Sequence, residues 1–326
     1  MHPLRYLRRR WKRIAILLAV LVVVANVLAA RHARAFLVYA DSAETVPQPE
    51  QLTRWQKIRL LVNGVAVPRP KNTTTPESLQ IPFTTHRVEI ESGWLELWHL
   101  PRVSETSSGV VLMFPGYSAA KSSLLPEAVF IRSLGFDIVM VDFRGAGGSS
   151  GSDNTLGIRE AEDVAATVKF ARERWPERRI VLFGRSMGAA AILRAVAHLE
   201  VKADAVILES PFDRMLNTVR NRFRSMGLPT FPGSEMLVFW GGWRLGFDGF
   251  SHNPEEYAER VTLPTLVMSG AEDVRATPEQ VRAIFDRLRG AKRLAMFDGV
   301  GHEALKKRQP EVWGSEVNVF LQSINP

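Results

Sequence analysis

The pentapeptide Gly184-Arg185-Ser186-Met187-Gly188 lies between the apolar run Ile180–Phe183 and the small-residue run Ala189–Leu193. An apolar run, a tight glycine turn and a helix-forming run predict strand, turn and helix, with the G-x-S-x-G pattern at the corner. At such a corner the serine takes strained backbone angles, and the flanking glycines leave room where a Cβ would collide with neighbouring strand and helix. The Ser186 hydroxyl would then stand exposed at the end of a strand and at a helix N-terminus, whose dipole favours developing negative charge. Those are the requirements of a nucleophile. Taken alone, the pentapeptide is also compatible with an inert Gly/Ser helix entry.

A serine hydroxyl needs a base to take its proton and a carboxylate to hold the base. Of the seven histidines, only His302 lies in a glycine loop just past a late strand, Asp298-Gly299-Val300-Gly301-His302 after Arg293–Phe297. The run Pro264–Gly270 reads as a buried strand ending in a turn, and Asp273 follows it in Gly270-Ala271-Glu272-Asp273. Glu272, directly adjacent, and Asp248 remain competing carboxylates, and Asp also favours turns for reasons unrelated to chemistry. The expected assignment is Ser186 as nucleophile, His302 as proton relay and Asp273 as the group that orients the imidazole.

The chain order Ser186, Asp273, His302 is that of α/β-hydrolases rather than of the chymotrypsin or subtilisin triads. With three further segments in register, residues 86–326 resemble a serine hydrolase of the α/β-hydrolase fold superfamily. Val110–Phe114 with Pro115-Gly116-Tyr117 is similar to the third strand and oxyanion loop, although the usual His-Gly is Pro115-Gly116 here. Asp142-Phe143-Arg144-Gly145-Ala146-Gly147-Gly148-Ser149 resembles the D-x-R-G-x-G-x-S loop after the fourth strand. Glu209-Ser210-Pro211-Phe212 resembles the end of the sixth strand, where the chain leaves for a lid. The resemblance implies an oxyanion hole made of the backbone N–H groups of Met187 and Tyr117, two fixed donors for the charge on a tetrahedral intermediate. Tyr117 is equally placed to be a wall of an acyl pocket.

Composition bounds the alternatives. The 326 residues can hold one large α/β domain with appendages. Without cysteine the chain has no disulfide, thiolate metal site or Cys nucleophile. No metal-ligating cluster and no phosphate-binding glycine pattern appears, so neither metal nor cofactor is expected. The net charge of +8 suggests nucleic acid until it is partitioned. Eight of the 42 basic residues lie in the first 40 positions with no acidic residue among them, which leaves 34 basic against 34 acidic in the remainder. The catalytic body is neutral, and no nucleic-acid partner is expected.

The excess charge flanks one apolar run, Ile14–Ala30, interrupted only by Asn26. The run is at the short edge of what spans a bilayer core, and continuing the helix would let Arg31 and Arg34 snorkel outward. Six basic residues precede the run and two follow it, so the positive-inside bias keeps the N-terminus cytoplasmic and sends the hydrolase to the extracytoplasmic side. A cleaved signal peptide competes with this signal-anchor reading, because Val27-Leu28-Ala29 offers small or apolar residues at a peptidase site. Oligomeric state has no sequence signature.

These residues have to be positioned by elements further afield. Strands are predicted near 86–91, 94–100, 109–114, 137–142, 180–184, 205–209, 264–269 and 292–297, with the first two joined at Ser92-Gly93 as a hairpin. Helices are predicted near 119–134, 157–175, 186–199, 277–290 and 308–323. That alternation gives an α/β fold with a mostly parallel eight-stranded sheet, helices on both faces and active loops at the strands' C-terminal ends. The expected organisation is a basic N-terminus and single transmembrane helix (1–40), a segment with a linker (41–85), and the hydrolase domain (86–326). Within the second unit, Gln51–Val62 has amphipathic helical spacing and residues 68–76 read as extended linker. Residues 211–260 break the alternation with an aromatic-rich stretch that includes Phe223, Phe231, Phe239, Trp240, Trp243, Phe247 and Phe250, in the position of a helical lid. The expected activity is hydrolysis of carboxylic esters or thioesters on an acyl or lipid-like small molecule, through an acyl-enzyme. A peptidase of the same fold and a non-catalytic scaffold are the competing readings.

Overall fold

Alternate residues of the central strands enter different cores. Val110, Leu112, Phe114 and Leu182 pack to one side of the sheet, and Val111, Met113, Val181 and Phe183 to the other. Strands buried on both faces read as continuous apolar runs, as these do, and they require helices above and below. The computed structural model, which describes residues 3–41, 53–56, 64, 66–104 and 108–324, supplies both layers.

The strands are β1 (Thr84–Ile90), β2 (Gly93–Leu100), β3 (Gly109–Phe114), β4 (Phe136–Val141), β5 (Ile180–Arg185), β6 (Ala205–Glu209), β7 (Thr265–Gly270) and β8 (Lys292–Phe297). They form one sheet in the order β1-β2-β4-β3-β5-β6-β7-β8. The β1-β2 hairpin and the β2-β4 pairing are antiparallel, and every pairing from β4 to β8 is parallel. The sheet is the mostly parallel eight-stranded one with a leading hairpin that the sequence predicts, and strand boundaries fall within two residues of those read from sequence.

On one face lie α3 (Glu160–Arg174), α4 (Met187–His198) and α8 (Pro278–Arg287); on the other lie α2 (Leu125–Ser133) and α10 (Pro310–Ser323). The predicted helix at 119–134 begins as a 3-10 turn at Lys121–Leu124, and α2 starts only at Leu125, with Pro126 in its first turn where a missing N–H costs nothing. A short α9 (Leu305–Arg308) precedes α10.

The N-terminal apolar run is part of α1 (Pro3–Leu37). The portion Arg10–Leu37, 28 residues long, is long and apolar enough to cross a membrane. At 1.5 Å per residue it reaches about 42 Å against a hydrocarbon core of about 30 Å, so its last turns extend beyond the apolar layer. Its first half is bare, but Ala33 and Leu37 are buried against the body. The predicted amphipathic helix at 51–62 lies mostly outside the described residues; Arg54–Gln56 within it are helical and exposed.

The stretch predicted as linker is pinned rather than free. Arg69 donates to the carbonyls of Gly151 and Ser149, Gly147 N–H donates to Pro70 O at 2.9 Å, and the Asn72 amide donates to Asp142 at 2.8 Å.

The segment between β6 and β7 carries α5 (Met215–Ser225), α6 (Gly233–Leu245) and a short α7 (Pro254–Tyr257). Phe231, Phe239, Trp243 and Phe250 are exposed on it, whereas Phe223, Trp240 and Phe247 are half-buried. Its return to the body is tied at His252, whose ring is buried and faces Leu156 O at 3.0 Å and Tyr257 Oη at 3.2 Å, while its carbonyl caps the start of α5 through Met215 N–H.

Burial lowers the His252 pKa to about 3, with Arg194 acting in the same direction. Below about 6.5 the unfolded chain takes up a proton at this residue that the folded chain refuses, so stability is full above 6.5 and falls as the pH drops toward 3. The contribution reaches at most about 1.4 kcal/mol per pH unit. The melting midpoint of the whole chain is therefore expected to decline between pH 7 and pH 5. His252→Gln should lower the midpoint at pH 7 and flatten that decline; an unchanged slope would place the sensitivity elsewhere.

Candidate active site

Three loops at the C-terminal ends of parallel strands converge. Ser186 follows β5 directly, with φ 49° and ψ −108°, a strained conformation that costs roughly 1–3 kcal/mol. Two glycines make the turn possible. A Cβ on Gly184 would sit 2.6 Å from the backbone of Gly188 and Ala189, and one on Gly188 would sit 2.3 Å from Phe114 O, so both must be glycine for helix and strands to close this tightly. The turn is further held by Ser186 N–H donating to Glu209 O at 2.8 Å. Helix α4 begins at Met187, and its run Ala189–Ala191 is buried on the sheet.

The loops after β7 and β8 are neighbours because those strands pair in parallel. They are stitched together by Ala271 N–H to Phe297 O and Glu272 N–H to Val300 O, both at 2.9 Å. That brings His302 to Asp273, Nδ1 to Oδ2 at 2.7 Å, with the other imidazole nitrogen, Nε2, 3.3 Å from Ser186 Oγ. Asp273 is buried, and its second oxygen accepts from Arg275 N–H at 2.8 Å and Ala276 N–H at 2.9 Å. A carboxylate with one oxygen fixed by two amides has the other free to hold a ring in one orientation. Ser186, His302 and Asp273 thus form one continuous hydrogen-bonded chain. The competing carboxylates are elsewhere: the Glu272 side chain is exposed, and Asp248, also exposed, caps a 3-10 turn through Phe250 N–H.

Beside Ser186 lies the loop after β3. A Cβ on Gly116 would be 3.6 Å from Ser186 Cβ, which puts Gly116, the residue before Tyr117, against the serine. Among the described residues no hydrogen bond engages the backbone N–H of Tyr117 or of Met187. The Tyr117 ring lies under Arg222 at 5.5 Å, and burial pushes its phenol up to about 12, so the hydroxyl is neutral. The described residues contain no group of carboxylates and histidines arranged to hold a metal.

Supporting charges were not foreseen from sequence. Arg185, just before Ser186, pairs with Glu209 at 2.6 Å and Glu127 at 2.7 Å, and Trp313 Nε1 donates to Glu209 at 3.0 Å. Burial raises the Glu127 carboxyl, opposed by Arg185. On the other side Asp142, fully buried, accepts from Lys121 through both its N–H and its ammonium, and from Gly148 N–H at 3.0 Å. Ser149 Oγ donates to Asp142 O at 2.6 Å, and Arg144 pairs with buried Asp163 at 2.6 Å. The D-x-R-G-x-G-x-S segment is therefore internal bracing of the loop beside the site.

A family model described as serine aminopeptidase, S33 (Hydrolase_4) matches residues 105–258. The uncharacterised protein YfhR of Escherichia coli O157:H7 is 26% identical over 255 residues, which is 75% of this chain and 84% of that protein. A zebrafish (Danio rerio) lysophosphatidylserine lipase, ABHD12, is 26% identical over 173 residues, 50% of this chain and 42% of that one. Among solved structures, the Pyrococcus furiosus esterase Pf2001 superposes with a TM-score of 0.65 at 24% identity, covering 79% of this chain and 97% of the esterase.

Proposed function

The chain is an α/β-hydrolase, and from that premise we propose that it is a membrane-anchored serine esterase acting on acyl or lipid-like esters or thioesters. The observation that carries the reading is the hydrogen-bonded chain from Ser186 Oγ through His302 to Asp273, at an elbow with two unengaged backbone N–H groups beside it. In this mechanism His302 Nε2 takes the Ser186 proton as Oγ attacks the carbonyl carbon. The tetrahedral oxyanion rests on the N–H groups of Met187 and Tyr117, worth a few kcal/mol of transition-state stabilisation. His302 returns the proton to the leaving oxygen or sulfur, giving an acyl-Ser186 and the free alcohol or thiol. Water, deprotonated by the same imidazole, then releases the acid. Asp273 keeps Nδ1 protonated throughout and stabilises the imidazolium.

The membrane part of the reading draws on α1 and α6. Helix α6 packs along α1, with Trp240 Nε1 donating to Asn26 Oδ1 at 3.0 Å, inside the apolar run. Aromatic side chains exposed on a helix that rides beside a membrane-length segment suit the headgroup boundary, where Trp is favoured. The same contact supports an uncleaved anchor, since cleavage near Ala29 would remove Asn26 from its partner. The positive-inside bias then puts the N-terminus in the cytoplasm and the hydrolase outside it.

Each buried methylene is worth about 0.8 kcal/mol, several-fold in rate per carbon. On p-nitrophenyl esters the full chain in micelles is expected to show kcat/KM rising from acetate to at least hexanoate. Trp243→Ala should flatten that rise. A peptidase is the second reading, favoured by the description of the matching family model, and it predicts turnover of aminoacyl p-nitroanilides instead. A profile peaking at acetate would remove the lipid-like substrate and leave a small-ester hydrolase.

A further inference from the structure

The last turn of α1 does not simply end at the membrane; it runs into the catalytic body and stops against the loop that carries Tyr117. After Leu37 the chain continues as an extended strip, with bridges from Val38 to Asp153 and from Ala40 to Pro68. Tyr39 N–H donates to Ser152 O at 2.7 Å, Ala40 N–H to Val67 O at 2.8 Å, and Asn154 N–H to Leu37 O at 2.8 Å. Leu37 and Tyr39 are both 5% exposed, so the strip is packed as well as paired.

Two hydrogen bonds then reach the loop after β3, one on each side of the peptide linking Tyr117 to Ser118. Tyr117 Oη donates to Phe36 O at 2.7 Å, using one of the carbonyls that a helix C-terminus leaves unpaired. Ser118 N–H donates to Tyr39 Oη at 3.2 Å. The two rings lie 6.2 Å apart, tilted by 34°. Ser118 itself has φ 56°, an uncommon conformation for a residue with a side chain, which needs outside support to persist. Fixing the Tyr117 side chain and the following amide fixes the backbone torsions of Tyr117, and with them the direction of its own N–H.

We infer that residues Phe36–Ala40, at the juxtamembrane end of the anchor, position the oxyanion loop, with the Tyr39 and Tyr117 hydroxyls as the positioning groups. This role rests on the serine-hydrolase reading above, in which the Tyr117 N–H meets the oxyanion. It gives α1 a function beyond tethering, because the helix held in the bilayer and the donor held beside Ser186 share one rigid connection. Burial keeps Tyr39 well above its ordinary phenol pKa, so its oxygen remains a neutral acceptor across the working range.

The test uses the full chain in micelles, with Tyr39→Phe and Tyr117→Phe, each of which removes one hydroxyl and keeps the ring. On p-nitrophenyl butyrate each is expected to lower the kcat of the folded protein about 5- to 20-fold with KM within two-fold, beside the modest fall in melting midpoint that loss of one buried hydrogen bond brings. Affinity for a trifluoromethyl ketone, whose adduct places an oxyanion in the same hole, should fall in parallel with kcat/KM. A purely structural role would lower the midpoint alone and leave the specific activity and ketone affinity of the folded fraction intact. If both variants keep kcat and ketone affinity within two-fold of the wild type, the positioning role is overturned while the esterase reading stands. If the wild type itself neither turns over esters nor binds the ketone, the esterase reading fails first and this role fails with it.

Discussion

Ser186→Ala is expected to abolish labelling by a fluorophosphonate probe and to lower ester turnover by on the order of 10⁵- to 10⁶-fold. The size follows from what remains. With Oγ gone there is no atom 3.3 Å from His302 Nε2 to form an acyl-enzyme, and only donor-assisted attack by water on a bound substrate is left. Fold is not at stake, because alanine meets the same backbone angles at the elbow as serine and removes only the Oγ. Single-turnover kinetics and intact-mass analysis of the labelled protein make the measurement. Labelling that persists in Ser186→Ala would put the nucleophile elsewhere and remove the observation on which the function rests.

Much of this site was legible because its constraints are local. Gly184 and Gly188 sit where a Cβ would strike backbone, so the elbow writes itself into five consecutive residues. The sheet was legible for a related reason: β3, β4, β5 and β6 are buried on both faces and therefore appear as unbroken apolar runs. Asp273 and His302 needed more, since each loop is unremarkable until the parallel pairing of β7 and β8 puts them side by side.

What stayed hidden depended on distant partners. Lys121 and Arg185 look like ordinary surface cations in sequence, yet the Lys121 side chain is fully buried and the Arg185 side chain only 15% exposed, against carboxylates from other elements. Nothing local distinguishes a buried ion pair from a solvated one, because the cost of desolvation is met only by a partner folded in from elsewhere. The strip Phe36–Ala40 was hidden more deeply. As the tail of a hydrophobic helix it carries a complete explanation of its own, membrane anchoring, and its bonds to Tyr117 and Ser118 join positions about eighty residues apart.

The carboxylate assignment carries the second large effect. In Asp273→Asn the residue keeps its size, and its oxygen can still accept from the amides of Arg275 and Ala276. The group facing His302 Nδ1 then becomes an NH₂ donor. A neutral imidazole meets a donor only with an unprotonated nitrogen, so Nδ1 loses its hydrogen and Nε2 gains it. Nε2 then faces Ser186 Oγ as a donor and can no longer take the proton. Turnover should fall roughly 10³- to 10⁴-fold, with substrate KM little changed and the melting midpoint close to wild type. Glu272→Gln should leave kcat within a few-fold, because the exposed Glu272 side chain faces solvent and the loop is held by its backbone N–H on Val300 O. Asp248→Asn should behave likewise, since an amide oxygen can still cap the turn at Phe250. Parallel kcat measurements on the three variants settle the assignment, and a collapse in Glu272→Gln with Asp273→Asn still active would mean that the acid lies one residue earlier in the loop.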